Sequence, residues 1–212
     1  MATVGNATHF ISPTTGMLVS KQIFPARIIK KYIREKVDDN TIRGELAAKY
    51  KEKRFTEQVL QKAELGHVHS MERLAKWYAY GEHGFQKDNM LACIWAEKAA
   101  RLGSVLGMAL AGQLLLWGPG VPHDKLKAMM YLGMAEGRGS DYAAFVLGRV
   151  QLTGAGGVQV DKRMAHQFLT KCLSAECVHK HIGNSGRRKA RYMIGELQKA
   201  NRGFNGNRRV TP

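Results

Sequence analysis

The side chains best suited to chemistry gather in one short stretch: Cys172, Cys177, His179 and His181. Thiolates and imidazoles are the ligands of tetrahedral zinc. The spacing fits poorly, because four residues separate the thiols and the histidines stand only two apart. Cys172 also falls on a periodic apolar stripe, which suits a buried thiol. His67 and His69 form a second loose pair near a helix start and are expected to face solvent. No metal and no cofactor is therefore expected. The remaining thiol, Cys93, makes the cysteine count odd, so reduced thiols and an intracellular setting follow.

Other chemistries find less support. No Gly-x-Ser-x-Gly elbow is present, and no glycine-rich loop is followed by Gly-Lys-Ser or Gly-Lys-Thr. Gly154, Gly156 and Gly157 precede a helix, but a similar loop recurs along the chain. Three acids, Asp88, Asp124 and Asp161, recur at spacings of 36 and 37 residues. Each stands where a helix begins, so it reads as a cap for free amide hydrogens rather than as half of a catalytic pair. An enzyme is not expected. A solenoid hydrolase using one of these loop acids remains the minor alternative.

Charge is the other chemical resource. The formal net charge is +16, and it is unevenly placed. Residues 21–62 carry 12 Lys and Arg against 6 Asp and Glu, residues 63–177 carry 12 against 10, and residues 178–212 carry 9 against 1. A near-neutral body with basic ends suits attraction to an acidic protein or to RNA. The candidate partner-binding residues are Arg187, Arg188, Lys189, Arg191, Lys199, Arg202, Arg208 and Arg209 at one end, and Lys30, Lys31 and Arg34 at the other. Tyr192 and Phe204 are the aromatics nearest the C-terminal group, too few for an extended base-stacking platform.

The elements that position these groups follow from an internal period. Gly81, Gly118 and Gly154 are spaced by 37 and 36 residues, and Ala92, Ala128 and Ala165 follow the three aspartates by four. Ala75, Gly112 and Gly148 keep the period, and Gly66, Gly103 and Gly139 close successive units. Each unit reads as helix, glycine-bearing loop, helix. The small residues let backbones approach closely. The glycine after each first helix is expected to stop it in a left-handed conformation. Trp95, Tyr131 and Phe168 occupy one register and read as core plugs between stacked hairpins. Val105–Trp117 is too short to cross a bilayer and reads as a buried helix.

These units resemble Sel1-like repeats, a subfamily of the tetratricopeptide-like helical solenoids. The resemblance rests on the Leu147-Gly148 and Ala111-Gly112 pairs, the loops around Gly118, Gly120 and Val121 and around Gly154, Gly156, Gly157 and Val158, the aspartates, and Lys98-Ala99-Ala100. Phe85 replaces the loop valine in the first unit, and the third ends Lys171-Cys172-Leu173-Ser174. The resemblance implies an all-α, right-handed solenoid of helical hairpins and the habits of an assembly adaptor.

The expected organisation is a flexible segment at 1–22, N-terminal helices and a degenerate repeat at 23–66, and repeats at 67–103, 104–139 and 140–176. A capping helix region at 177–201 and a basic tail at 202–212 follow. In 24–36, Ile28, Ile29, Tyr32 and Ile33 line an apolar side, and Ala190, Met193, Ile194, Leu197 and Ala200 do so in the last helix. The first acid in the chain is Glu35, and the basic, acid-poor start has the character of an organelle transit peptide. The cytoplasm and the mitochondrion both stay open. The expected function is a protein-interaction adaptor or scaffold within a macromolecular complex, with an RNA- or ribosome-associated assembly component as the alternative.

Overall fold

The computed structural model describes residues 9–11, 18–20, 26–38 and 44–206. It divides into two compact units, Met1–Glu57 and Gln58–Pro212. Arg208 and Arg209 lie outside the described residues.

In the first unit, strands β1 (His9–Ile11) and β2 (Leu18–Ser20) pair antiparallel with Phe10 opposite Val19. The helical period gives no hint of this hairpin. Helix α1 (Ala26–Asp38) follows, with Tyr32 and Ile33 half-buried, Val37 buried and Lys30, Lys31 and Arg34 exposed. Ile28 and Ile29 precede the α1 residues whose side chains are described. Arg54 of α2 (Glu45–Glu64) grips both carboxylate oxygens of Asp38 at 2.9 and 3.0 Å. The Tyr50 hydroxyl donates to the Lys30 carbonyl at 3.2 Å.

The second unit begins within α2 and is built from three hairpins. They are α3 (Val68–Tyr80) with α4 (Asn89–Arg101), α5 (Val105–Trp117) with α6 (Lys125–Gly137), and α7 (Asp141–Thr153) with α8 (Lys162–Leu173). Each second helix also packs on the first helix of the next hairpin, so the hairpins stack in sequence order. Helix α9 (Gly183–Gly206) closes the stack against α8.

One hydrogen-bonded turn joins successive units. The amides of His67, Ser104 and Ser140 donate to the carbonyls of Lys62, Ala99 and Ala135 at 3.0, 3.0 and 3.1 Å. The preceding Gly66, Gly103 and Gly139 have φ of +93, +89 and +80°, which only glycine adopts cheaply. The end of α2 thus makes the turn that ends α4 and α6, and Val59 and Ala63 pack with Met71, Leu74 and Trp77 of α3.

Within each hairpin the aspartate does two jobs. The amides of Asp88, Asp124 and Asp161 donate to the carbonyls of Tyr78, Leu115 and Gln151, tying the loop to the helix before it. Their carboxylates accept from the amides of Leu91, Lys127 and Met164, each at 2.9 Å, which caps the helix after it. Such a cap contributes about 1 kcal/mol.

The close approaches are equally regular. A Cβ placed on Gly112 would stand 2.6 Å from Leu132 Cγ, and one on Gly148 would stand 2.8 Å from Leu169 Cγ. Ala92, Ala128 and Ala165 are fully buried. Of the aromatic plugs, Tyr131 is buried, while Trp95 and Phe168 are half-buried against the same core. Helix α5 has neighbours in α3, α4, α6 and α7, which is why its sequence is apolar all round.

Two local expectations need correction. Gly118 is not left-handed: its φ is −68°. Glycine is required there by crowding, since a Cβ would sit 2.6 Å from the Leu114 carbonyl oxygen, and Gly120 makes the turn with φ +79°. Ala200 does not face the core but is exposed, because contact with α8 is made by Ala190, Met193, Ile194 and Leu197. The third hairpin also ends differently: α8 stops at Leu173, and Ser174 is extended instead of turning directly into the next helix.

Candidate interaction surfaces

The chain leaving α8 folds back on the start of α7 before α9 begins. The Asp141 amide donates to the His179 carbonyl at 3.1 Å, and the His179 amide donates to the Gly139 carbonyl at 3.0 Å. This short parallel bridge holds residues 177–182 as a strap. Asp141, fully buried, fastens it: one carboxylate oxygen accepts from the amides of His181 at 2.6 Å and Ile182 at 3.2 Å. The other oxygen faces Arg187 Nη2 at 3.4 Å. A carboxylate out of water is tolerated only when such partners surround it.

Arg187, one of the candidate cations, is therefore turned inward. Arg188, Lys189 and Arg191 are exposed along α9, as is the ring of Tyr192. Lys199 is exposed and pairs with Glu196 at 3.0 Å. Arg202 lies in α9 beyond the residues whose side chains are described. The apolar side of the helix packs with Ala144 and Phe145 of α7 and with Leu169 and Cys172 of α8, so the remaining cations sit on a fixed surface. In the first unit, Lys30 and Arg34 are exposed on α1, and Lys31 lies 3.9 Å from Glu35.

The cysteine–histidine stretch does not assemble into a metal centre. Among the described residues no group of three or more metal-ligating side chains comes together. The Cys172 thiol donates to the Leu169 carbonyl and the Cys177 thiol to the Lys171 carbonyl, while the rings of His179 and His181 stack with centroids 6.2 Å apart. Burial pushes the Cys172 thiol up to about 12, with nearby Cys177 and Asp141 adding to it. Burial and Glu97 push Cys93 up to about 11. Raised values leave little thiolate near neutrality, and thiolate is the reactive form. Neither Cys93 nor Cys172 should be alkylated by iodoacetamide at pH 8 in the native chain, while both react in denaturant; mass spectrometry of the digests decides this. His67 and His69 are exposed as expected, and His69 meets Glu72 at 2.9 Å.

The first helices of the hairpins offer little open apolar surface. On α5 only Val105, Gln113 and Trp117 are less than fully buried. The Tyr142 hydroxyl donates to Gln113 Oε1, and the Arg149 guanidinium lies 4.7 Å from the Trp117 ring centre. Ser104 caps α5 and also donates to Glu72 Oε1 at 2.5 Å, linking the first two hairpins.

Comparison with known proteins agrees with this architecture. The Sel1 repeat family matches residues 68–104, 105–140 and 141–171, one match for each hairpin. Among solved structures the chain is similar to a Sel1 repeat protein from Oxalobacter formigenes, at 25% identity and a TM-score of 0.44, covering 51% of this chain and 44% of that one. It is also similar to c5321, a protective antigen of uropathogenic Escherichia coli with an SLR fold, at 30% identity and a TM-score of 0.47, covering 56% of this chain and 25% of that one. The chain thus spans less than half the length of either. No curated protein matches it significantly. No helix among the described residues is long and apolar enough to cross a membrane. Sel1 repeats generally mediate protein–protein interactions, and each of the three stacked hairpins of this chain matches one such repeat.

Proposed function

We propose that the chain is a non-catalytic adaptor that holds a protein partner within a larger complex. The observation that carries this reading is the cationic face of α9, fixed through Arg187, Asp141 and the strap while Arg188, Lys189 and Arg191 stay exposed. The loop acids that a hydrolase would need are occupied as helix caps. Fixed surface charge of one sign raises encounter rates with a partner of opposite sign.

The exposed Tyr192 ring beside these cations favours a second reading, in which the face binds RNA through phosphate contacts and one stacked base. Crosslinking the tagged chain in its own cells, with and without nuclease, separates the two. The adaptor reading expects a protein partner recovered equally in both arms. Recovery that vanishes with nuclease supports the RNA reading and removes the first. The triple variant R188E/K189E/R191E should slow association with the recovered partner about tenfold at low salt, with an unchanged circular dichroism spectrum. An unaltered rate would show that α9 is not the steering face.

A further inference from the structure

The second helices of the first two hairpins carry an apolar stripe where solvent should meet polar residues. Counting from the capping aspartates, the positions two and six residues on are Met90 and Ile94 in α4 and Leu126 and Met130 in α6. In α8 the same positions hold Arg163 and Gln167. Met134 extends the α6 row by another turn, and Leu91 widens the α4 row. These six side chains are between 37 and 84% exposed. Single exposed apolar residues are ordinary, and Met164 of α8 is one, but two positions apolar at one register in adjacent repeats and polar in the third are not scatter. None of the six belongs to the buried core clusters.

An ion pair ties the two helices: Lys127 of α6 meets Glu97 of α4 at 2.7 Å. Charge around the stripe is net positive. Glu97 is also met by Arg101 at 3.8 Å, and Glu136, on α6 beyond Met134, is occupied by Lys171. Lys87 precedes the α4 row, Lys98 follows it over the Trp95 ring at 4.3 Å, and Lys125 precedes the α6 row. No carboxylate among the described residues pairs with these three lysines.

We infer that the outer faces of α4 and α6 are a docking site for an acidic amphipathic helix, about three turns long to match these 13-residue helices. Its apolar side lies along Met90, Ile94, Leu126, Met130 and Met134, and its flanking acids meet Lys87, Lys98 and Lys125. Methionine side chains reshape to fit an incoming surface. A second copy of this chain fits badly, because it would bring the same lysines against one another. The inference rests on the adaptor reading and gives it a surface distinct from α9.

The test uses the full chain with methyl-labelled methionine and a synthetic amphipathic helix of about 18 residues with leucines on one side and glutamates on the other. The expected result is that the Met90, Met130 and Met134 methyl signals shift while those of buried Met71 and Met108 stay still. L126E/M130E should weaken binding about tenfold with helicity retained. A lysine-flanked peptide that binds equally well overturns the proposal, as do shifts caused by anionic phosphatidylglycerol vesicles and not by the acidic peptide. So does a titration in which no outer methionine moves. A photo-crosslinking residue placed at Met130 or at Arg191 distinguishes this failure from that of the adaptor reading. Protein crosslinks from Arg191 alone overturn the outer stripe and leave the adaptor reading standing; none from either site removes both.

Discussion

Asp141→Ala should cost about 3–5 kcal/mol, the largest loss expected from any single polar side chain in the second unit. The substitution leaves the amides of His181 and Ile182 and the half-buried Arg187 guanidinium without the acceptor that the fully buried Asp141 provides. Asp141→Asn keeps the shape but removes the charge facing Arg187, and should recover only part of the loss. The damage should be local first. Hydrogen exchange should quicken through 177–200, where the strap and α9 depend on this carboxylate, before α3 and α4 respond. Urea unfolding with exchange mass spectrometry measures both effects. By contrast, Asp124→Ala removes only a cap and should cost about 1 kcal/mol.

The second large effect is at the close approach inside the middle hairpin. Gly112→Ala places a methyl group 2.6 Å from Leu132 Cγ and 3.0 Å from the Ala128 carbonyl oxygen. Overpacking of this kind costs about 1–3 kcal/mol. Gly133, in the same hairpin, faces open space, with nothing within 4 Å of where a Cβ would stand. Gly133→Ala should therefore stabilise by about 0.5–1 kcal/mol. Opposite signs for two glycine-to-alanine changes in one hairpin cannot come from helix propensity alone. The first hairpin suggests a compensating pair: Ala75 stands at the Gly112 position and Ala96 at the Leu132 position. The double variant G112A/L132A should therefore be less unstable than the sum of its singles, by about 1 kcal/mol or more. Denaturant titration of the four proteins closes the cycle.

What the sequence revealed divides along the range of the interactions involved. The caps at Asp88, Asp124 and Asp161 and the turns at Gly66, Gly103 and Gly139 are set within a few residues and recur, so three copies made each readable. Helix α5 was readable as buried because it has no polar side to offer. Asp141 was not readable. Its partners lie 40, 41 and 46 residues away, and an acid in the first turn of a helix already has a local explanation. The same limit hid the inward turn of Arg187, which in sequence is indistinguishable from Arg188. Gly118 misled for a different reason. Glycine serves both positive φ and close approach, and the letter alone does not say which.

The basic ends were legible as composition, but the outer stripe on α4 and α6 was not. Its methionines and leucines share the helical spacing of a core face, so periodicity counts them as buried. Only the stack shows that the core lies on the opposite side, with Ala92, Ala96 and Ala128.

Interlocking of small residues with leucines across each hairpin is the claim on which the rest stands. Nuclear Overhauser contacts between glycine α-protons and leucine methyl groups measure it most directly. Strong contacts are expected for Gly112 with Leu132 and for Gly148 with Leu169, both in one folded species. A folded, helical chain lacking both contacts would contradict it.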